Sequence, residues 1–259
     1  MCAPAVTALT SVVMVSIRNK IVGAGVAALV ATTVAVSGGA VASAMPAGPD
    51  VASYQHPGGA SINWFAVRAS GQQIAMVKAT ESLNYINPYF VQDCVIMRAA
   101  GLIRGTYHYA DPSQNPVAQA IFYAGIILGQ NGPMDLPPVI DFENSGGLNP
   151  ADLSNWLSQF LNTLDPLTGR KTIIYTYPRF WNTAMAGSHA FADHPLWIAS
   201  YNSGGAPVMP NGGWNTWTFW QYTNNGRLPG IPAAVDLNRY NGTPQQLNTF
   251  GNAVGIFNS

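Results

Sequence analysis

Charge is what this sequence has least of. Asp, Glu, Lys and Arg together make up 8% of its 259 residues, and the 11 basic and 11 acidic side chains cancel; ordinary soluble domains carry about 25%. No basic patch is available to hold a nucleic-acid backbone, which removes nucleic acid as a partner. Cysteine is equally scarce: Cys2 and Cys94 offer no disulfide framework. His56, His189 and His194 have neither ligand spacing nor partners in the sequence, so no metal and no other cofactor is expected. Repeats, low-complexity tails and linkers are absent. What is present is apolar: 48% hydrophobic and 11% aromatic residues, with 26 Gly and 19 Pro dispersed along the chain. That composition excludes disordered, collagenous and coiled-coil chains and is enough for a sizeable core.

Arg18 and Lys20 precede an uncharged run, Ile21 to Val36, that leads into Ala42-Ser43-Ala44. Residues 1–44 therefore read as a secretory signal peptide with an A-x-A cleavage site, and Met14 would start a signal of ordinary length. The run is too short and too rich in small residues for a membrane span. Cleavage leaves residues 45–259 as one domain, secreted and extracellular or cell-wall associated, with no stable membrane span and with Cys94 alone. Phe90, Cys94 and Met97 share one helical face, so Cys94 reads as a small buried apolar residue rather than a nucleophile.

Apolar, β-rich segments fall at 74–79, 102–109, 138–143, 172–177, 196–201, 216–222 and 235–240, and a short one before Asp50 makes eight. Helical patterns separate the early ones, at 87–100, 116–128 and 150–164; in the last, Leu153, Trp156, Leu157, Phe160, Leu161 and Leu164 repeat at helical spacing behind an Asn149 cap and Pro150. Strands alternating with helices predict an α/β fold with a parallel sheet, and about eight strands predict a closed barrel. After Tyr177 the connections turn Gly-, Pro- and Asn-rich, so the later strands should lack full helical crossovers.

Barrel enzymes build their sites at the C-terminal ends of the strands. Six of the 11 acidic residues fall there: Asp50, Glu81, Asp111, Asp141, Glu143 and Asp236. Pro138-Val139-Ile140-Asp141-Phe142-Glu143 is an apolar strand ending in two carboxylates two residues apart, which period-two alternation sets on one face with Cα atoms roughly 6–7 Å apart. In a dry mouth the two cannot both ionise freely, so one becomes available as a general acid. Glycosidic bond cleavage needs that division: an acid for the leaving oxygen and an anion for the oxocarbenium-like centre. A calcium site and a pair of surface charges are the plainer readings. The apolar run-up and the other rim carboxylates favour the glycosidase.

These residues resemble the glycoside hydrolase family 25 lysozymes. Asp50-Val51-Ala52-Ser53-Tyr54-Gln55 is similar to the family's opening segment, Val77-Lys78-Ala79-Thr80-Glu81 to its second strand, and Gly105-Thr106-Tyr107-His108-Tyr109 to its third. Asp141-Phe142-Glu143 matches its Asp-x-Glu; Ile174-Tyr175-Thr176 and Leu196-Trp197-Ile198-Ala199 match later strands; Trp220-Gln221-Tyr222 and Val235-Asp236-Leu237-Asn238 match its closing motifs. The resemblance implies a modified TIM-like barrel, five β/α units followed by three further strands. It implies a muramidase acting on peptidoglycan glycan strands as a monomer, with residues 45–259 as the catalytic glycoside hydrolase domain. Glu143 takes the general acid's place, and Asp141 that of the second acid, which stabilises positive charge or orients the substrate's acetamido group. Asp50 and Asp236 complete the carboxylate ring. The substrate-binding set is Tyr107, Trp220, Glu81 and Tyr175, with Trp220 as the sugar-stacking ring. Pro49, Ser82, Phe142 and Tyr109 depart from the family pattern, which bears on loop details and not on the carboxylates.

Other readings are plainer still. His108 alternates with Tyr107 and Tyr109 and should be a satisfied core histidine, while Lys78 should pair with a rim carboxylate. A carbohydrate-binding module would keep the aromatics and lose the acid, and a chitinase-like barrel would share Asp-x-Glu without the closing motifs.

Overall fold

The computed structural model describes residues 44–129, 132 and 134–252; the signal peptide read at 1–44 lies outside them except for its last residue. The chain runs β1 (Ala47–Val51), α1 (Trp64–Ala69), β2 (Ile74–Glu81), β3 (Tyr85–Ile86), α2 (Phe90–Ala99), β4 (Ile103–Tyr109), α3 (Pro116–Ile126) and β5 (Val139–Asp141). It continues with α4 (Pro150–Thr168), β6 (Ile173–Thr176), α5 (Pro178–Ala184), β7 (Leu196–Ala199), β8 (Phe219–Gly226), β9 (Val235–Tyr240) and α6 (Pro244–Asn252). Pairing of β1 with β2 closes the sheet into a barrel, and β3 adds only a short antiparallel edge to the end of β2. Neighbours from β1 through β8 are parallel, whereas β9 runs antiparallel to both β8 and β1. Five strand–helix units therefore precede three strands without helical crossovers, as the resemblance implied.

Period-two alternation sorts each strand into two cores. Ile74, Met76, Tyr107, Val139, Ile173, Tyr175, Trp197, Phe219 and Tyr240 fill the barrel. Ala75, Val77, Ile140, Phe142, Ile174, Ile198 and Trp220 face outward, where helices cover them. The six apolar residues of α4 all lie in this outer layer, each contributing roughly 1.5–3 kcal/mol by leaving water. Asn149 caps α4 by accepting from the backbone N–H of Ala151 and Asp152, both at 3.0 Å, and Gly169 ends it in the left-handed conformation. Phe90, Cys94 and Met97 are buried on one face of α2, as their spacing predicts.

Pro49 does not interrupt β1, which pairs through it to Leu237. The neighbouring Gly48 is obligatory: a Cβ there would stand 1.8 Å from the Ile74 carbonyl oxygen. Ser82 holds φ 49°, a backbone that favours the family's usual glycine, and its hydroxyl donates to Asp111. Periodicity alone gave no sign of the helices α1, α5 and α6, since six to nine residues are too few to establish a helical period; α1 and α5 were implied only by the five β/α units of the resemblance. β8 runs past Tyr222 to Gly226, because backbone pairing with β9 does not depend on the polar side chains Thr223 to Asn225.

Candidate active site

The parallel strands all end at one rim, and because β9 runs the other way its beginning lies at that same rim. That reversal brings Asp236, the second residue of β9, beside Asp50, the fourth of β1; the two are direct partners across the antiparallel pair. A β-bulge between Lys78 and Thr80 shifts the register of β2, so Lys78 and Glu81 both face the mouth although three residues apart. Tyr107 and Tyr109 come from β4, and Asp141 and Glu143 from the end of β5. Together they line a cleft of about 390 Å³, whose floor reaches Tyr175, Trp197 and Gln221.

The carboxylates sit in a dry place. Asp50 is 6% exposed and Asp141 9%; Glu143 and Asp236 are half-buried. Burial pushes the Asp141 carboxyl well above the usual carboxylate range, and the neighbouring Glu143 charge pushes it further while Lys78 opposes the rise. Burial also raises Glu143, against the pull of Lys78. Burial and the facing Asp50 carry Asp236 up to about 8. Asp50 is raised by burial and held back by hydrogen bonds from Asn238 and Gln221. Lys78 Nζ lies 2.7 Å from Glu81 Oε2 and 4.7 Å above the Tyr109 ring, so it pairs with a rim carboxylate as expected. Asp141 Oδ1 is buried without a hydrogen-bond partner, which adds to the cost of ionising this carboxyl.

Several expectations need correction. Trp220 is 2% exposed and belongs to the outer core, its indole N–H donating to the Ser200 carbonyl at 2.8 Å. Its place one residue from the inward-facing Gln221 turns it away from the cleft. Asp111 does not line the cleft either: it accepts from Ser82 and from the backbone and hydroxyl of Ser113. His56 has a buried partner, Asp93, at 3.0 Å, and Trp64 donates to the other oxygen of that carboxylate at 2.9 Å. His194 bonds the Thr172 carbonyl at 2.9 Å. His108 is the satisfied core histidine, between Thr80 Oγ1 at 2.8 Å and Gln119 Oε1 at 3.0 Å, and burial pushes it down to about 4. Gln221 and Asn238 were missed as site residues. Period-two alternation from Asp236 would have turned Asn238 inward, and the same rule applied to β8 would have chosen Gln221 over Trp220.

A closed α/β barrel that gathers buried carboxylates at one strand-end rim, with a half-buried acid beside them, is the frame of a glycoside-cleaving enzyme. The model of glycosyl hydrolases family 25 matches residues 49–231, and the chain belongs to that family. Lysozyme M1 of Streptomyces globisporus is 36% identical over 214 residues, which cover 79% of this chain and 71% of that protein. The uncharacterised protein YegX of Escherichia coli K12 is 35% identical over 182 residues, covering 70% of this chain; the chain spans 64% of YegX. Among solved structures, the bacterial lysozyme from Streptomyces coelicolor superposes with a TM-score of 0.75 at 34% identity, covering 81% of this chain and 98% of that one.

Among the described residues no helix is long and apolar enough to cross a membrane.

Proposed function

We propose that this protein is a muramidase that hydrolyses the β-1,4 bond between N-acetylmuramic acid and N-acetylglucosamine in peptidoglycan. The observation that carries the reading is the Asp141–Glu143 pair at the end of β5, two inward carboxyls raised by burial in a cleft open enough to admit a glycan. Glu143 is the more accessible of the two and acts as general acid, giving its proton to the glycosidic oxygen. Asp141 is the deeper and the harder to ionise. Burial and the Glu143 charge both disfavour its ionisation, and from its place in the cleft lining it orients the substrate's acetamido group, the second of the two roles the resemblance offered. Asp50 supplies negative charge near the developing cation, with Asp236 in support. Tyr107, Tyr175 and Glu81 line the cleft and contact the sugars. The acting form is a secreted monomer comprising residues 45–259 after removal of the leader.

Incubating the purified protein with a cell-wall suspension, with chitin in parallel, tests this. Turbidity should fall, and the new reducing ends should lie on N-acetylmuramic acid. Cleavage of chitin alone would favour a chitinase-like enzyme, and binding without cleavage would favour a carbohydrate-binding module.

A further inference from the structure

Asp50 and Asp236 are direct partners across β1 and β9 and line the same cleft, and two carboxyls set so close cannot both ionise freely, so the pair holds on to one proton. The other donors decide which one keeps it. Gln221 Nε2 donates to Asp50 Oδ2 at 2.9 Å, and Asn238 Nδ2 donates to the same oxygen at 2.8 Å. The Asn238 amide is not free to turn over. The Trp197 indole N–H, which can only donate, points at Asn238 Oδ1 from 2.8 Å, and the Asn238 NH₂ also reaches the Gly48 carbonyl at 3.2 Å. The hydroxyls of Tyr175 and Tyr201 donate to Gln221 Oε1 at 3.0 and 2.6 Å. Turning either amide would set a carbonyl oxygen against the Asp50 carboxylate.

We propose that Gln221 and Asn238 are positioning residues that hold Asp50 as the ionised member of the Asp50–Asp236 pair, with Trp197 locking the Asn238 amide and the Tyr175 and Tyr201 hydroxyls occupying Gln221 Oε1 so that its NH₂ faces Asp50. The inference rests on the muramidase reading and deepens it: the pair presents one negative charge, fixed on Asp50, rather than a charge that moves between two carboxyls. Around Asp50, only Lys78 from β2 favours the anion among the charged side chains of the cleft. The charges of Glu81 from β2 and of Glu143 from β5 oppose it, whereas Asp236 from β9, carrying the shared proton, supports it along with the neutral amide donors. Tyr107 from β4 and the two tyrosines on Gln221 remain protonated, since burial raises all three.

The test compares the pH dependence of kcat on cell wall for wild type, Gln221→Met and Tyr201→Phe, together with the carboxyl ¹³C titration of Asp50 and Asp236 in each. Gln221→Met keeps the length of the side chain and removes the donor. Loss of one hydrogen bond to a charged group should move the acidic limb and the Asp50 titration up by about one pH unit. Tyr201 is 53% exposed, so Tyr201→Phe should fold even where Gln221→Met does not, and it should move both readouts the same way by less. A uniform loss of kcat with an unmoved acidic limb and an unmoved Asp50 titration would mean that these residues are merely structural, and would overturn the proposal. So would an Asp50 that titrates above Asp236 in the wild type. A wild type inactive on cell wall overturns the muramidase reading instead, and the carboxyl titrations then decide this inference alone.

Discussion

Asp50 and Asp236 are backbone partners across the antiparallel pair that closes the barrel, one carboxyl raised only as far as its amide donors permit and the other up to about 8. Such a pair makes the fold pH-sensitive. A carboxyl whose folded value exceeds its unfolded value binds more protons in the folded state, so its stabilisation is complete below the unfolded value and is lost as pH rises through the folded one. Asp50, Asp141, Glu143 and Asp236 are all raised. His108, lowered from 6.5 to about 4, works in the opposite sense between those values. Between pH 6.5 and 8 the carboxyls act alone of these groups, so the thermal midpoint should fall as pH rises, and Asp236→Asn should flatten the slope. A midpoint that rises across this window in the wild type contradicts the assignment of the protonated pair.

Trp220→Phe separates packing from sugar stacking. The ring is packed between the barrel and the outer core, with Arg239 5.7 Å from its centre, and shrinking it leaves a cavity. The thermal midpoint should drop, by an amount within the few kcal/mol typical of core truncations, while KM for soluble glycan fragments stays unchanged. A KM rise at constant midpoint would return Trp220 to the substrate.

The sequence made legible what is periodic or charged. The α4 face from Leu153 to Leu164 was readable because its six apolar residues repeat at helical spacing, and the Asp141–Glu143 pair because a strand turns every second residue to the same side. The same alternation was not carried through β8, which is how Trp220 was taken for a cleft residue in place of Gln221. Asn238 and Gln221 carry no charge, and although both lie within the closing motifs, only the barrel's closure, with β9 reversed against β1, makes them neighbours of Asp50. His56 and Asp93 are 37 residues apart, and no local pattern announces such a contact. The bulge that turns Glu81 to the same side as Lys78 is likewise a property of the β2–β4 pairing and not of β2 alone.

Cys94→Ser tests the one thiol of the described residues. Cys94 is fully buried, and burial pushes its thiol up to about 12, so it is a poor nucleophile. The folded protein should resist thiol reagents. The serine variant should keep its turnover while losing about 1–3 kcal/mol, the cost of a buried hydroxyl without a good partner. Lost turnover at unchanged stability would put the thiol in the chemistry.

The two carboxyls of β5 should differ in what they lose on becoming amides. Glu143→Gln keeps the shape of the side chain but cannot give up a proton, so kcat should fall by about 10²–10⁴, the usual contribution of a general acid. Asp141→Asn replaces a carboxyl whose ionisation burial and the Glu143 charge oppose by a neutral group of the same shape, one that can still meet an acetamido N–H through its oxygen. Its loss of kcat should therefore be clearly smaller than that of Glu143→Gln. Asp236→Asn, which leaves the Asp50 anion in place with an N–H donor opposite it, should keep more activity than either. The contrast is informative because an ionised Asp141, stabilising the oxocarbenium-like centre directly, would make Asp141→Asn as damaging as Glu143→Gln. Measuring kcat across pH for the three variants, with circular dichroism matched to wild type, decides between these roles. A Glu143→Gln variant with wild-type turnover and an unchanged basic limb would place the acid elsewhere in the cleft.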